Sequence, residues 1–319
     1  MGKRETSTPG PSRRAILQGM AVAPLVVGQN RTSPMPTRPV TVPTTPLLTR
    51  PVPSTGEVLP VIGLGTWQTF DVGADRDPQR TVLADFLGGG GRVIDSSPMY
   101  GRSEEVVGDL LAERGPSPPP PPFLATKVWT RGKARGEEEM RRSAKRLRTA
   151  RLDLLQVHNL LDWRVHLDTL RAWKHDGRVR SIGVTHYQLS AFDELEQIVA
   201  HEKIDFVQLP YSMGVREAEK RLLPAAAHHG VAVLVMRPFE EGTLFARVRG
   251  KEVPSWITAA LGCTSWAEVF LKFILGHPAV TCPLPATANP AHLAQNLRAG
   301  HGPLPDEPLR RRMIEYVGV

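Results

Sequence analysis

Val93-Ile94-Asp95-Ser96-Ser97-Pro98-Met99-Tyr100-Gly101-Arg102-Ser103-Glu104-Glu105 is the stretch whose reading decides the fold. A short apolar run ends on Asp95 and reads as a strand. Pro98 and Gly101 then break the chain into a tight loop that carries Tyr100. Ser103, followed by two acids, reads as the N-cap of a helix, because its hydroxyl accepts from orphan N–H groups and carboxylates favour the positive end of the helix dipole. An acid and a phenol are thereby held at one rim, where a strand gives way to a helix.

Working outward, the same alternation repeats. Upstream lie a hairpin arm and first strand over 59–65, a helix over 80–87, Gly88-Gly89-Gly90-Gly91, and the strand 92–95. The four glycines precede a strand and lack the G-x-x-x-x-G-K-[ST] pattern, so they read as a helix-to-strand turn and not as a phosphate loop. Downstream come a helix over 103–113 and a proline run to Pro122, which is an extended surface excursion. A strand at 123–129 follows, then a helix at 137–150 with Met140, Ala144 and Leu147 on one face. The later pairs are strand 154–158 with helix 166–176, strand 181–185 with helix 191–201 capped by Ser190, and strand 206–209 with helix 216–229. Strand 231–237 leads through a longer stretch to helix 265–275. Strand 280–283 feeds helix 291–297, with Asn289 as N-cap and Pro290 at the first helical position. Eight strands alternating with about eight helices predict an α/β chain folded as a single (β/α)8 TIM barrel. The alternative, an open doubly wound sheet, wants a Gly-x-Gly-x-x-Gly after its first strand, and none is there.

The chain has 319 residues, 41% hydrophobic and 23% charged, which suits a globular protein. Its net charge of +8 is concentrated at one end: residues 1–53 hold seven basic residues and one acid, six of the eight charges. The remaining body is nearly neutral, which argues against a nucleic-acid-binding face. Cys263 and Cys282 form no Cys-x-x-Cys, and no paired histidine spacing accompanies them; no zinc site is expected, and two buried thiols are favoured over a single bridge. At the N-terminus, Ser12-Arg13-Arg14-Ala15-Ile16-Leu17-Gln18 precedes a mildly apolar stretch to Gly28. This resembles a twin-arginine (Tat-type) export signal, and is too short and interrupted for a stable membrane span. The expected organisation is a leader at 1–28, a Pro/Thr-rich linker at 29–53 and the barrel at 54–319. Periplasmic location or export through the twin-arginine machinery follows as an expectation; the alternative is a disordered basic tail on a cytoplasmic protein.

In such a barrel the C-terminal strand ends form the active face. Asp95, Lys127 and His158 fall at or near the ends of strands two, three and four, and Tyr100 lies in the loop after Asp95. Thr185 and His186 follow strand five, Gln208 lies in strand six and Arg237 ends strand seven. Buried Asp and Lys are uncommon unless paired, so an Asp95–Lys127 pair is expected. A lysine ammonium beside a phenol, whose ordinary pKa is about 10, should draw that value down towards working pH. With His158 aimed at the same oxygen, the group could protonate a substrate carbonyl. Singly, these residues read as a strand-end cap, a snorkelling lysine and a satisfied core histidine; their convergence at consecutive strand ends is what points to chemistry.

From about Arg50 onward the chain resembles the aldo-keto reductases. The residues that carry the likeness are Gly63-Leu64-Gly65-Thr66-Trp67, Ile94 to Glu105, Ala125-Thr126-Lys127-Val128-Trp129, Leu154-Leu155-Gln156-Val157-His158-Asn159, Arg180 to Tyr187, and Pro283 to Pro290 before Asn296. The resemblance implies a catalytic tetrad of Asp95, Tyr100, Lys127 and His158. Tyr100 would be the general acid as hydride arrives from NADP(H) or NAD(H), with no metal. It implies Trp67 and Trp129 as pocket walls, Thr185 and Gln208 at the nicotinamide carboxamide, and Thr287 and Asn296 at the adenosine end; His186 and Arg237 join the cofactor-facing set. His186 stands where the family often has Asn. Ala286 and His292 stand where many members place Lys and Arg, which predicts weakened or lost preference for a 2′-phosphate. A short C-terminal segment after the last cofactor helix predicts loose substrate selectivity. The implied function is NAD(P)(H)-dependent interconversion of small aldehydes or ketones and alcohols. The alternative is a cofactor-binding redox sensor or accessory subunit of the same fold.

Overall fold

The structure is a computed structural model and describes residues 46–115 and 120–319. The leader 1–28, most of 29–53 and the first prolines of the 116–122 run lie outside the described residues. Two antiparallel strands, β1 (Thr49–Pro51) and β2 (Val58–Pro60), form a hairpin. Eight parallel strands follow in chain order: β3 (Leu64–Gly65), β4 (Val93–Asp95), β5 (Phe123–Val128), β6 (Leu152–His158), β7 (Val179–Thr185), β8 (Phe206–Pro210), β9 (Ala232–Met236) and β10 (Val280–Pro283). The sheet closes on itself. Gly65 bridges Ala286 in parallel, and the N–H groups of Gly63 and Gly65 donate to the carbonyls of Pro283 at 3.0 Å and Pro285 at 3.1 Å. A Cβ on Gly65 would fall 2.8 Å from the Leu284 carbonyl oxygen, so the seam needs glycine.

These strands are Val/Ile/Leu-rich because both faces are covered. Period-two alternation sends Val93, Phe123, Ala125, Leu154, Phe206 and Leu234 inward to one cluster, which Val52 and Leu59 of the hairpin complete. The outward residues Ile94, Leu124, Leu155, Val157 and Val207 pack under the helices. Those helices are α1 (Asp77–Gly88), α2 (Ser103–Arg114), α3 (Lys133–Arg146), α4 (Trp163–His175), α5 (Phe192–His201), α6 (Leu222–His228), α7 (Thr243–Arg247), α8 (Ser255–Leu261), α9 (Trp266–Leu275), α10 (Pro290–Arg298) and α11 (Glu307–Val317).

Several expectations are corrected here. The ordered fold begins before residue 54: β1 falls inside the stretch read as linker, with Leu47 and Val52 buried. Proline-rich composition hid this hairpin, which Arg50 pins by donating to the carbonyls of Leu275 at 2.5 Å, His277 at 3.0 Å and Val280. Ser103 does not cap α2. It is the first helical residue, and its hydroxyl donates to the Thr66 carbonyl at 3.3 Å. Ser190 is not a cap either, because a 3-10 turn at Leu189–Ala191 precedes α5. The helix expected over 216–229 is broken into a 3-10 turn, Glu217–Glu219, and α6, because Pro224 lacks the N–H that an unbroken helix would use. α7, α8 and α11 were not expected. Asn289 does cap α10, accepting from the Ala291 N–H at 2.9 Å. Cys263 and Cys282 are both free and buried. Among the described residues no single helix is long and apolar enough to cross a membrane.

Candidate active site

Strand register assembles the site. Lys127 on β5 pairs with Gln156 on β6; His158 pairs with Thr185 on β7, and Thr185 with Gln208 on β8. Asp95 ends β4 one step away. Lys127 is wholly buried; its Nζ donates to Asp95 Oδ2 at 2.7 Å and to the Ser96 carbonyl at 2.7 Å. Burial works against the ammonium, but Asp95 and Tyr100 outweigh it and hold the lysine above its ordinary pKa.

Tyr100 is placed by its loop. Its N–H donates to the Ser97 carbonyl at 3.0 Å, and the next residue, Gly101, has φ 57°. A Cβ there would meet the Asp71 carboxylate at 2.3 Å, and that carboxylate accepts from the Arg102 N–H at 2.9 Å. The tyrosine ring lies 5.0 Å from Lys127 Nζ and stands edge-on to His158, with ring centres 5.9 Å apart. Here the electrostatics differ from the sequence expectation. Desolvation raises the phenol pKa, Lys127 pulls it down and Asp95 pushes it up; the net result lies above 10. Lys127 therefore offsets burial only in part and does not lower the phenol's pKa to working pH: Tyr100 holds its proton there.

His158 is neutral for a similar reason. Burial, then the charge of Lys127, lowers its pKa to about 2. Ser97 Oγ lies 3.1 Å from His158 Nδ1 and accepts from the Met99 N–H at 3.3 Å. Ser97 has one hydrogen and two lone pairs, so it can accept from Met99 and still donate to Nδ1; on a neutral ring that arrangement leaves the hydrogen on Nε2. Between pH 6.5 and about 2 the unfolded chain takes up a proton that the folded His158 refuses, so its contribution is intact above 6.5 and lost as pH falls. His158→Asn should flatten the acid limb of stability by up to about 1.4 kcal/mol per pH unit below 6.5. Urea unfolding at pH 7.5 and pH 5 checks this; equal slopes in both proteins would contradict it.

One cleft of about 1070 Å³ opens over these groups. It is lined by Asp95, Tyr100, His158 and Gln208, and by Trp67 and Trp129, which are 41% and 43% exposed at its mouth. It runs on past Arg237 to Ala286, Thr287, His292 and Asn296 on and before α10. Lys127 lies beneath the lining. Thr185 and His186 are not on the cleft surface. His186 stacks on Tyr187, 5.6 Å between centres at 7°, and Tyr187 lines the cleft in its place. Thr185 Oγ1 is buried without a partner. Sequence reading also missed Asn159, Pro238, Phe239, Phe245 and Trp266, all of which line the cleft. The aromatic residues around Gly242 were the available signal for this wall. Among the described residues none after Asn296 lines the cleft; α11 stacks Tyr316 on Trp266, 6.3 Å between centres. Among the described residues no cluster of His, Cys, Asp or Glu could hold a metal ion.

A closed parallel barrel with an Asp–Lys pair, a tyrosine and a histidine beneath one long cleft defines a class. Residues 61–312 match the aldo/keto reductase family, and the chain belongs to it. It is 30% identical over 205 residues to the aldo-keto reductase YhdN of Bacillus subtilis, spanning 59% of this chain and 60% of that one. It is 29% identical over 249 residues to the methylglyoxal reductase YeaE of Escherichia coli, spanning 75% and 84%. Among solved structures it is similar to an aldo/keto reductase from Klebsiella pneumoniae in complex with NADP and acetate, with a TM-score of 0.68, 25% identity, and 82% and 92% of the two chains covered. The protein is thus an enzyme of the aldo-keto reductase type.

Proposed function

We propose that this enzyme reduces small aldehydes and ketones with a nicotinamide dinucleotide, Tyr100 being the general acid. The observation that carries the reading is the convergence of a proton-holding phenol and a neutral imidazole on one cleft, above a buried Asp95–Lys127 pair. The residues present fit a dinucleotide. The cleft exceeds the usual range for a single small ligand and reaches from Tyr100 to α10. Gln208 offers a polar contact near one end, Thr287 and Asn296 at the other. When bound, the cofactor supplies the hydride. The chain's own part is to aim the carbonyl oxygen with His158 Nε2–H and to give it the Tyr100 proton. Lys127 stabilises the phenolate left behind, and Asp95 positions Lys127. Trp67 and Trp129 keep the carbonyl's substituents out of water.

The preferred cofactor is NADH. Among the described residues Arg237 is the one Lys or Arg on the cleft lining, and it pairs with Glu241, 3.1 Å away. Arg298 on α10 is held by the buried Glu268, 2.9 Å from its Nε. A 2′-phosphate would find no free cation among these groups, and an unpaired buried anion is costly. NADH is expected to bind at least about tenfold more tightly than NADPH. Ala286→Lys with His292→Arg should shift that ratio by about 10- to 100-fold towards NADPH, one or two charge-assisted hydrogen bonds. Quenching of tryptophan fluorescence measures both affinities; tighter NADPH binding by the unaltered protein would sink this part.

Turnover tests the whole reading: purified protein should oxidise NADH when given a reactive aldehyde. Cofactor binding without turnover over a broad carbonyl panel would favour the sensor or accessory role. The leader, with its Arg13-Arg14 pair, is proposed to direct twin-arginine export; a leader–reporter fusion active only in the cytoplasm would reject that.

A further inference from the structure

The tetrad uses only one of the two carboxylate oxygens of Asp95. Lys127 Nζ and Gln208 Nε2 donate to Oδ2, at 2.7 and 3.2 Å; Oδ1 receives Gln156 Nε2 at 3.4 Å. The same Gln156 nitrogen donates to Gln208 Oε1 at 3.2 Å. Asp95, Gln156 and Gln208 thus close a ring of hydrogen bonds under the cleft. Gln156 is fully buried and off the cleft lining, and its own Oε1 has no partner. Burying an amide with an unmet acceptor destabilises a fold. The inward position below it on β6 is Leu154, so an apolar side chain would suit this layer better. A polar group kept here at a loss of stability points to the site above it.

We propose that Gln156 is a positioning residue for the cofactor end of the cleft. It braces the Gln208 amide so that Gln208 offers an N–H, and not its carbonyl, to the carboxamide of the nicotinamide. Counting hydrogens gives the direction. One hydrogen on Gln208 Nε2 goes to Asp95, and the carbonyl receives the hydrogen of Gln156. The second hydrogen on Nε2 is left for the cleft, which Gln208 lines. Turning the Gln208 amide over would set its carbonyl against the Asp95 carboxylate and its NH2 against that of Gln156, two repulsive contacts. Removing Gln156 relieves one of them and frees the Gln208 carbonyl to accept from the ligand. The inference rests on Gln208 facing the carboxamide, as the functional reading has it.

The test compares NAD with its 3-acetylpyridine analogue, which keeps the ring carbonyl and lacks the amide NH2. Affinities come from tryptophan quenching of the full chain, so turnover is not needed. The unaltered protein should bind the two within about threefold, since Gln208 uses only the carbonyl they share. Gln156→Met should weaken NAD about two- to tenfold, the worth of one neutral hydrogen bond, and should raise discrimination against the analogue at least about threefold. Gln156→Asn, polar but too short to span both partners, should do the same and serves if the Met variant fails to fold. A folded variant with both affinities unchanged would overturn the proposal, as would strong rejection of the analogue by the unaltered protein. An unaltered protein that binds neither dinucleotide overturns the functional reading and this inference with it.

Discussion

Tyr100→Phe is expected to lose about 10²- to 10⁴-fold in turnover, the range for removing a general acid, while binding the cofactor with unchanged affinity. Tyr100 lines the cleft beside His158, its proton is held at working pH by burial, and Lys127 sits below the ring to take up the charge when the proton leaves. Phenylalanine keeps the ring, the edge-on contact with His158 and the packing, and removes only the hydroxyl. Steady-state rates with one aldehyde, set beside fluorescence titration of NADH, separate the two effects. Undiminished turnover would assign the proton to another group, and His158 would then be the one to examine.

Lys127→Met is expected to be the most damaging single change to stability, about 3–5 kcal/mol. Both partners of the Asp95–Lys127 pair are out of water, with side chains 5% and 1% exposed. Removing the ammonium leaves the carboxylate with the amides of Gln156 and Gln208 as its remaining side-chain donors. Neutral donors cannot replace the charge. Asp95→Asn combined with Lys127→Met takes away both charges, so the double variant should be more stable than the sum of the single losses implies. Urea unfolding of the three variants measures this. A loss under about 1 kcal/mol in the single variant would mean that water reaches Asp95 and that the pair is weaker than its burial indicates. Activity should fall with either change, because the phenolate left by Tyr100 loses its counter-charge.

Much of this was legible in the chain. Strand-end positions of Asp95, Lys127 and His158 could be read because an apolar run that stops on a polar residue before a Gly/Pro loop marks where a barrel strand opens. The pairing of Asp95 with Lys127 followed from burial alone. What the sequence hid is tertiary. Pro51 and Pro53 made β1 look like linker, although Arg50 fastens it to carbonyls more than 220 residues away. Composition could not show that desolvation outweighs Lys127 at Tyr100, because the balance depends on how deep the phenol sits. Phe239 and Phe245 of the cleft wall come from a segment with no strand or helix period to announce it, and Trp266, the first residue of the expected helix 265–275, is brought to the cleft only by tertiary packing. Gln156 looked like one polar residue in an apolar strand; only the register shows it beside Lys127 and under Gln208.

The most direct measurement follows the hydride. NADH carrying deuterium at both C4 positions of the nicotinamide ring, mixed with the enzyme and a small aldehyde, should give an alcohol carrying one deuterium on the former carbonyl carbon. Mass spectrometry of the product reads it, with Tyr100→Phe as the control that forms about 10²-fold less or lower still. An alcohol formed without deuterium, or no alcohol from any carbonyl tried under conditions where NADH is bound, would contradict the account.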